Sequence, residues 1–185
     1  ASAALLAMPC AQAQAPVTTA TATAPPVATA ATQPPVVNAA AWLVVEATSG
    51  QVLADVNSRQ RREPASLTKL MTAYLVFDAL HQKRITLSQR LRVPERAWKA
   101  EGSRMFIEPG APVTAEDLVR GLIIQSGNDA AIALAIAVAG NESAFVEQMN
   151  REAKRLGMND TNFLNPTGLP QQGHVSTAHD LAVLS

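Results

Sequence analysis

Ser66 and Lys69 stand three positions apart in the stretch Pro64-Ala65-Ser66-Leu67-Thr68-Lys69. On a helix, positions i and i+3 are neighbours, so a hydroxyl and an amine can meet on one face. A serine near a helix N-terminus also lies close to backbone N–H groups that can stabilise an oxyanion. Lysine is a poor base at its ordinary pKa, and burial among apolar residues lowers it. Ten serines and four lysines in 185 positions give roughly 0.2 chance matches to this spacing, so alone it equally fits a solvated lysine. Ser126-Gly127-Asn128 lies sixty residues on. It offers a hydroxyl for a proton relay and a carboxamide for a substrate clamp. Taken alone it is better explained by an ordinary interhelical turn, with Gly127 for its geometry and Asn128 or Asp129 as helix cap.

These residues need elements to hold them. Trp42–Ala47 and Gln51–Val56 flank Thr48-Ser49-Gly50 and predict a β-hairpin. Leu67, Leu70, Met71, Tyr74 and Leu75 share one helical face, which Val76, Phe77 and Leu80 widen, predicting a central helix over 67–80. Residues 85–113 read as short strands and loops. Thr114 with Asp117 resembles a capping box opening a helix whose apolar face is Leu118, Leu122 and Ile123. Ala130–Ala139 continues as an apolar helix ended by Gly140. Asn141 caps a further helix that buries Phe145, Met149 and Ala153 and stops at Gly157. Residues 162–170 are turn-rich, and Thr177 with Asp180 begins a last helix.

Fifteen basic and fifteen acidic residues cancel, and no basic stripe appears, which argues against a nucleic-acid partner. Hydrophobic residues make up 48% and aromatics 4%, so the core must be assembled from many small side chains. A single cysteine, Cys10, excludes a disulfide framework within one chain. No run of about 20 apolar residues predicts a membrane-spanning helix. The charges begin only at Glu46. Residues 1–15 read as the remnant of a secretory signal peptide, with Leu5–Met8 as the apolar run and Ala11-Gln12-Ala13 or Ala13-Gln14-Ala15 as the cleavage site. Cys10, directly after Pro9, is expected to leave with it. Residues 16–40 read as a disordered Ala/Pro/Thr linker, and 41–185 as the folded domain.

Taken in order with their flanks, the two motifs resemble the serine penicillin-recognising enzymes, whose motifs are S-x-x-K, S-x-N and K-T-G. The resemblance is closest to the D-alanyl-D-alanine carboxypeptidases, the low-molecular-mass penicillin-binding proteins. It is carried by Pro64–Thr72, Ser103–Phe106, Leu122–Ala131, Phe163–Leu169 and His174–Ala178. It implies an α+β fold of the penicillin-binding/β-lactamase type, an antiparallel sheet packed by helices with a helical subdomain carrying Ser126 to Asn128. It also implies roles. Ser66 is then the nucleophile toward the penultimate D-Ala of a peptidoglycan stem peptide, and Lys69 the general base. Ser126 passes the proton to the leaving amine, and Asn128 holds Lys69 and the substrate amide. β-Lactam antibiotics would acylate the same serine, and no cofactor is implied. Such an enzyme works in the periplasm, with membrane attachment possible in the full-length protein. A D,D-endopeptidase, a class A β-lactamase and a catalytically inactive cell-wall binding fragment are the alternatives, though a β-lactamase usually has Asp where Gly127 stands.

The third motif is absent. Pro166-Thr167-Gly168 has proline where the cation belongs, and the sequence reads as ending before the strand that carries the motif in the family. The domain is therefore expected to be incomplete and, by itself, inactive. The histidines show no metal-ligand spacing and read as structurally inert, and Arg59, Arg61 and Arg62 read as a solvated cluster.

Overall fold

Trp42–Val45 (β1) and Val52–Val56 (β2) pair antiparallel, with Leu43 opposite Asp55 and a bulge after Val44. The turn between them is fixed by Glu46, whose carboxylate accepts the N–H groups of Thr48 and Ser49, and by Gly50 at φ +70°. This hairpin is the one the sequence predicts. The computed structural model describes residues 36–185. The expected leader and most of the expected linker fall outside the described residues. Val36–Ala40 are exposed and carry no strand or helix.

After β2 the chain makes a 3-10 turn over Ala65–Leu67 that runs directly into α1, Thr68–His81. Arg90–Arg92 (β3) and Pro112–Thr114 (β4) form a second antiparallel pair, bracketing the short helix α2, Glu95–Trp98. Helices α3 (Ala115–Ile124), α4 (Asn128–Ala139), α5 (Glu142–Leu156) and α6 (Ala178–Leu184) follow. Three of these start at side-chain caps. Thr114, Asn141 and Thr177 accept the N–H of Asp117, Ala144 and Asp180 respectively, so the cap signals in the sequence identify real helix starts. The result is an α+β arrangement of two small antiparallel sheets and a larger helical body.

The central helix is α4 rather than α1. Every residue from Asn128 to Ala135 is buried, as expected of a helix apolar all round. It packs against α1, α2, α3, β3 and α5, and it meets α5 at 85°. Among the described residues, no single helix is long and apolar enough to cross a membrane. Around α4 lie two apolar clusters. Val76, Leu118, Leu122, Ile132 and Leu134 belong to one; Met71, Leu75, Phe145, Met149 and Phe163 belong to the other.

Two predicted faces need correction. On α1 the buried residues are Thr68, Lys69, Met71, Thr72, Leu75, Val76 and Ala79, whereas Leu67, Leu70 and Phe77 are exposed. Leu67 and Leu70 instead line an open cleft of about 660 Å³ with Leu43 and Leu181. The apolar stripe was displaced because three polar residues of α1 find buried partners, described below. On α3 Ile123 is likewise exposed, while Leu118 and Leu122 are buried as expected.

The smallness of most core residues makes the few large ones decisive. Phe145 is fully buried, and Phe145→Ala is expected to cost about 3–5 kcal/mol. Urea unfolding of the full-length protein, followed by circular dichroism, measures it.

Candidate active site

The nucleophile candidate sits on strained backbone. Ala65, immediately before Ser66, has φ +46°, a left-handed conformation that a non-glycine residue adopts at a cost. No side chain caps either the 3-10 turn or α1. The start of α1 is instead anchored by bonds to one distant loop. Lys69 Nζ donates to the Thr167 carbonyl at 2.7 Å, Thr72 Oγ1 donates to the Pro166 carbonyl at 2.7 Å, and Thr68 Oγ1 bonds His174 Nε2 at 2.8 Å. These are the partners that bury the polar side of the helix.

The loop is organised by its own residues. Asn165 Oδ1 accepts the Thr167 and Gly168 N–H groups at 3.2 and 2.7 Å, and its Nδ2 donates to the Leu169 carbonyl at 3.0 Å. That is the turn an Asn-Pro-x-Gly sequence favours. Gly168 has φ +85°, and a Cβ there would stand 1.8 Å from the Ala65 carbonyl oxygen. Glycine is therefore required by conformation and by close approach together.

Ser66 is exposed and Lys69 is buried. Lys69 Nζ lies 3.4 Å from Ser66 Oγ, so the structure brings the two together as the spacing predicts. Burial lowers the Lys69 pKa to about 8. Its only polar contacts among the described residues are this hydroxyl and the Thr167 carbonyl. No carboxylate pairs with it to hold the proton on. The geometry is that of a hydroxyl next to an amine that gives up its proton near neutrality.

Ser126 and Asn128 lie in the turn between α3 and α4. Ser126 has φ +53°, a second strained non-glycine position. The α4 N-cap is Gly127, with no side-chain cap bond; Asp129 Oδ1 accepts the Ala130 N–H at 2.9 Å in the first turn. Asn128 and Asp129 join the turn to the 101–107 segment. Asn128 N–H donates to the Ser103 carbonyl at 2.7 Å, and its Nδ2 to the Glu101 carbonyl at 2.6 Å. Asp129 Oδ1 accepts the Met105 N–H at 3.0 Å. This buried carboxylate, which sequence reasoning weighed only as a cap, ties the Ser103–Phe106 stretch to the turn.

No hydrogen bond among the described residues joins Ser126 or Asn128 to Ser66 or Lys69; the Asn128 carboxamide donates to Glu101 instead. A Cβ on Gly102 would lie 3.0 Å from Asn128 Nδ2 and 4.0 Å from Leu169 Cδ2, next to the Gly168 that touches Ala65. Asn128 Oδ1 is buried without a hydrogen-bond partner. Among the described residues no three His, Cys, Asp or Glu side chains converge to hold a metal.

The comparisons with known proteins point one way. A family model described as D-alanyl-D-alanine carboxypeptidase matches residues 28–185. The chain is 43% identical over 143 residues to D-alanyl-D-alanine carboxypeptidase DacF of Bacillus subtilis, covering 77% of this chain and 37% of that protein. It is 45% identical over 150 residues to DacC of Escherichia coli, covering 78% and 38%. Among solved structures, penicillin binding protein 6B from Escherichia coli is 44% identical with a TM-score of 0.79, over 84% of this chain and 51% of that one. DacD from Francisella tularensis is 40% identical with a TM-score of 0.79, over 80% and 36%. The chain thus spans under two-fifths of the length of the two curated relatives named here.

Two outcomes follow from the geometry. Gly168→Ala should push Ala65 and Ser66 out of place, with a conformational cost of about 1 kcal/mol or more from the positive φ alone. The change should appear as loss of Ser66 reactivity toward an acylating reagent in a protein that still folds by circular dichroism. The second outcome concerns pH. Lys69 titrates near 8 when folded, against 10.5 unfolded, so the unfolded chain binds the extra proton between those values and stability rises with pH through that window. Urea unfolding at pH 7.5 and pH 10 should show this gain in the native protein and not in Lys69→Met.

Proposed function

From the chain's membership of the D-alanyl-D-alanine carboxypeptidase family, to which it belongs, we propose that the full-length protein is a serine-type D-Ala-D-Ala carboxypeptidase acting on peptidoglycan stem peptides. The observation that carries the reading is the pair of an exposed Ser66 hydroxyl and a buried, easily deprotonated Lys69 amine at 3.4 Å.

The reaction runs in two halves. Neutral Lys69 accepts the Ser66 proton as Oγ attacks the carbonyl carbon of the penultimate D-Ala, giving a tetrahedral oxyanion. The C–N bond then breaks as the proton held by Lys69 passes through the Ser126 hydroxyl to the amine of the departing D-Ala, leaving Lys69 neutral, Ser126 protonated and an ester on Ser66. Water attacks that ester, a proton returns to Ser66 Oγ, and the shortened stem peptide leaves with a carboxyl terminus. The Asn128 carboxamide, buried in the free protein against the Glu101 carbonyl, turns to meet the amide of the bound peptide, so the peptide is held as its carbonyl is turned toward Ser66. A β-lactam presents a strained amide to the same hydroxyl and stops at the ester. Stem peptides lie outside the cytoplasm, which agrees with the export pattern Ala11-Gln12-Ala13-Gln14-Ala15, and the reading places the enzyme in the periplasm.

At 3.4 Å the serine–lysine contact is long, and such bonds commonly tighten in the substrate complex. With Lys69 near 8, about a tenth of it is neutral at pH 7. The rate of acylation is therefore expected to climb with pH and level off above about 8. A fluorescent penicillin should label the full-length protein at Ser66, located by mass spectrometry. Ser66→Ala should abolish both labelling and D-Ala release from a peptide ending in D-Ala-D-Ala. Lys69→Ala should slow acylation by about 10²–10⁴-fold without unfolding α1, since alanine is a better helix former. An adduct on another residue, or Lys69→Ala acylating at the native rate, would overturn the assignment.

A further inference from the structure

His174 lies in neither catalytic motif, yet it is 2% exposed and bonded at both ring nitrogens. Nδ1 accepts the Leu164 N–H at 3.0 Å. The ring proton must then sit on Nε2, where it is donated to Thr68 Oγ1 at 2.8 Å. Burial lowers the pKa of this imidazole, which keeps that neutral tautomer. The Phe163 ring, edge-on at 5.9 Å and 65°, holds the plane.

The two bonds reach opposite sides of the site. Leu164 opens the loop that carries Asn165, Thr167 and Gly168. Thr68 lies in the first turn of α1, between Ser66 and Lys69, and that turn has no side-chain cap. One ring thus spans from the base of the loop to the helix start. The Lys69 amine is aimed by the Thr167 carbonyl of that loop, so any slip between loop and helix changes the distance from Lys69 to Ser66.

We propose that His174 is a positioning residue for the Ser66–Lys69 pair, acting through Thr68 to hold the start of α1 in register with the Thr167 carbonyl. The proposal rests on Ser66 being the nucleophile. Its consequence is kinetic: a misplacement of about 1 Å can cost about 10²-fold in rate.

Substitutions at His174 separate its two bonds. In His174→Asn the side-chain oxygen replaces Nδ1 as acceptor for Leu164, and the donor to Thr68 is lost. In His174→Gln the terminal amide replaces Nε2 as donor to Thr68. The measurement is the rate of penicillin acylation at Ser66 against penicillin concentration, in the full-length protein, with thermal unfolding alongside. His174→Asn and Thr68→Val are each expected to lower the maximal acylation rate about 10- to 100-fold while leaving the half-saturating concentration near its native value. His174→Gln keeps a hydrogen bond to Thr68 but gives up the one to Leu164, so it should fall between native and His174→Asn. The double variant His174→Asn/Thr68→Val should be no slower than either single one, because both remove the same contact. A folded His174→Asn with native acylation, or losses that multiply in the double variant, would overturn the proposal. Should His174→Asn fail to fold, Thr68→Val acylating at the native rate would overturn it equally. Absence of labelling at Ser66 in the native protein would overturn the carboxypeptidase reading and this proposal together, whereas the other outcomes strike at His174 alone.

Discussion

An ammonium group among apolar side chains is costly to keep unless it is paired or gives up its proton. Lys69 is shifted toward the second course. It is held by one carbonyl and one hydroxyl, with no carboxylate paired to it, and its pKa falls to about 8 through burial alone. Much of the surrounding architecture serves to make that burial possible. A carbonyl must point inward from the Thr167 backbone, so the 165–169 segment must turn sharply, and the turn must press against the backbone of Ala65 beside Ser66. Gly168 and Asn165 meet those demands. A carboxylate in place of the Thr167 carbonyl would hold the proton on Lys69 and end its use as a base.

The other wall of the site follows a different logic. Ser126 is placed by a left-handed backbone between two helices, and Ala65 precedes Ser66 in a similar conformation. Non-glycine residues in that region cost about 1–3 kcal/mol each and persist where neighbours over-determine them. Here the neighbours are identifiable. Asn128 and Asp129 bond the 101–107 segment through backbone and side chain, while Gly168 backs Ala65. The α4 helix behind the turn is buried along its first eight residues, so the turn is set on a deeply buried helix.

What the sequence showed and hid divides along the same line. Hairpin, caps and the Ser66–Lys69 pair are local, set by residues two to four positions apart, and they were legible. The buried face of α1 was not. Thr68, Lys69 and Thr72 are buried by partners, His174, Thr167 and Pro166, that lie 94 to 106 residues away, and two of the three are backbone carbonyls that no local pattern announces. Helix α2 escaped notice because four residues are too few for periodicity to register. His174 carries no local signal, because its partners Thr68 and Leu164 lie 106 and 10 residues away. Asn165-Pro166-Thr167-Gly168 did carry a usable signal. An Asn two residues before a Thr-Gly pair announces a tight turn, although nothing in it says what the turn approaches.

The contrast between an exposed Ser66 and a buried Lys69 then has a geometric origin. Nucleophile and base have opposite solvent requirements: the first must reach a large substrate, the second must be kept from water. A helix satisfies both with residues three apart only if its axis runs along the boundary between surface and interior, so that one turn crosses from one to the other. The 3-10 turn over Ala65–Leu67 feeding α1 does this. Ser66 stands on the outer side of the first turn, Thr68 and Lys69 on the inner side, and the loop from Leu164 to His174 closes over the inner side. Sealing that side with hydrogen bonds to backbone and imidazole, rather than with apolar packing, keeps the helix start in one register. A layer of apolar contacts could also exclude water, but it would tolerate the sliding that a 3.4 Å proton-transfer contact does not.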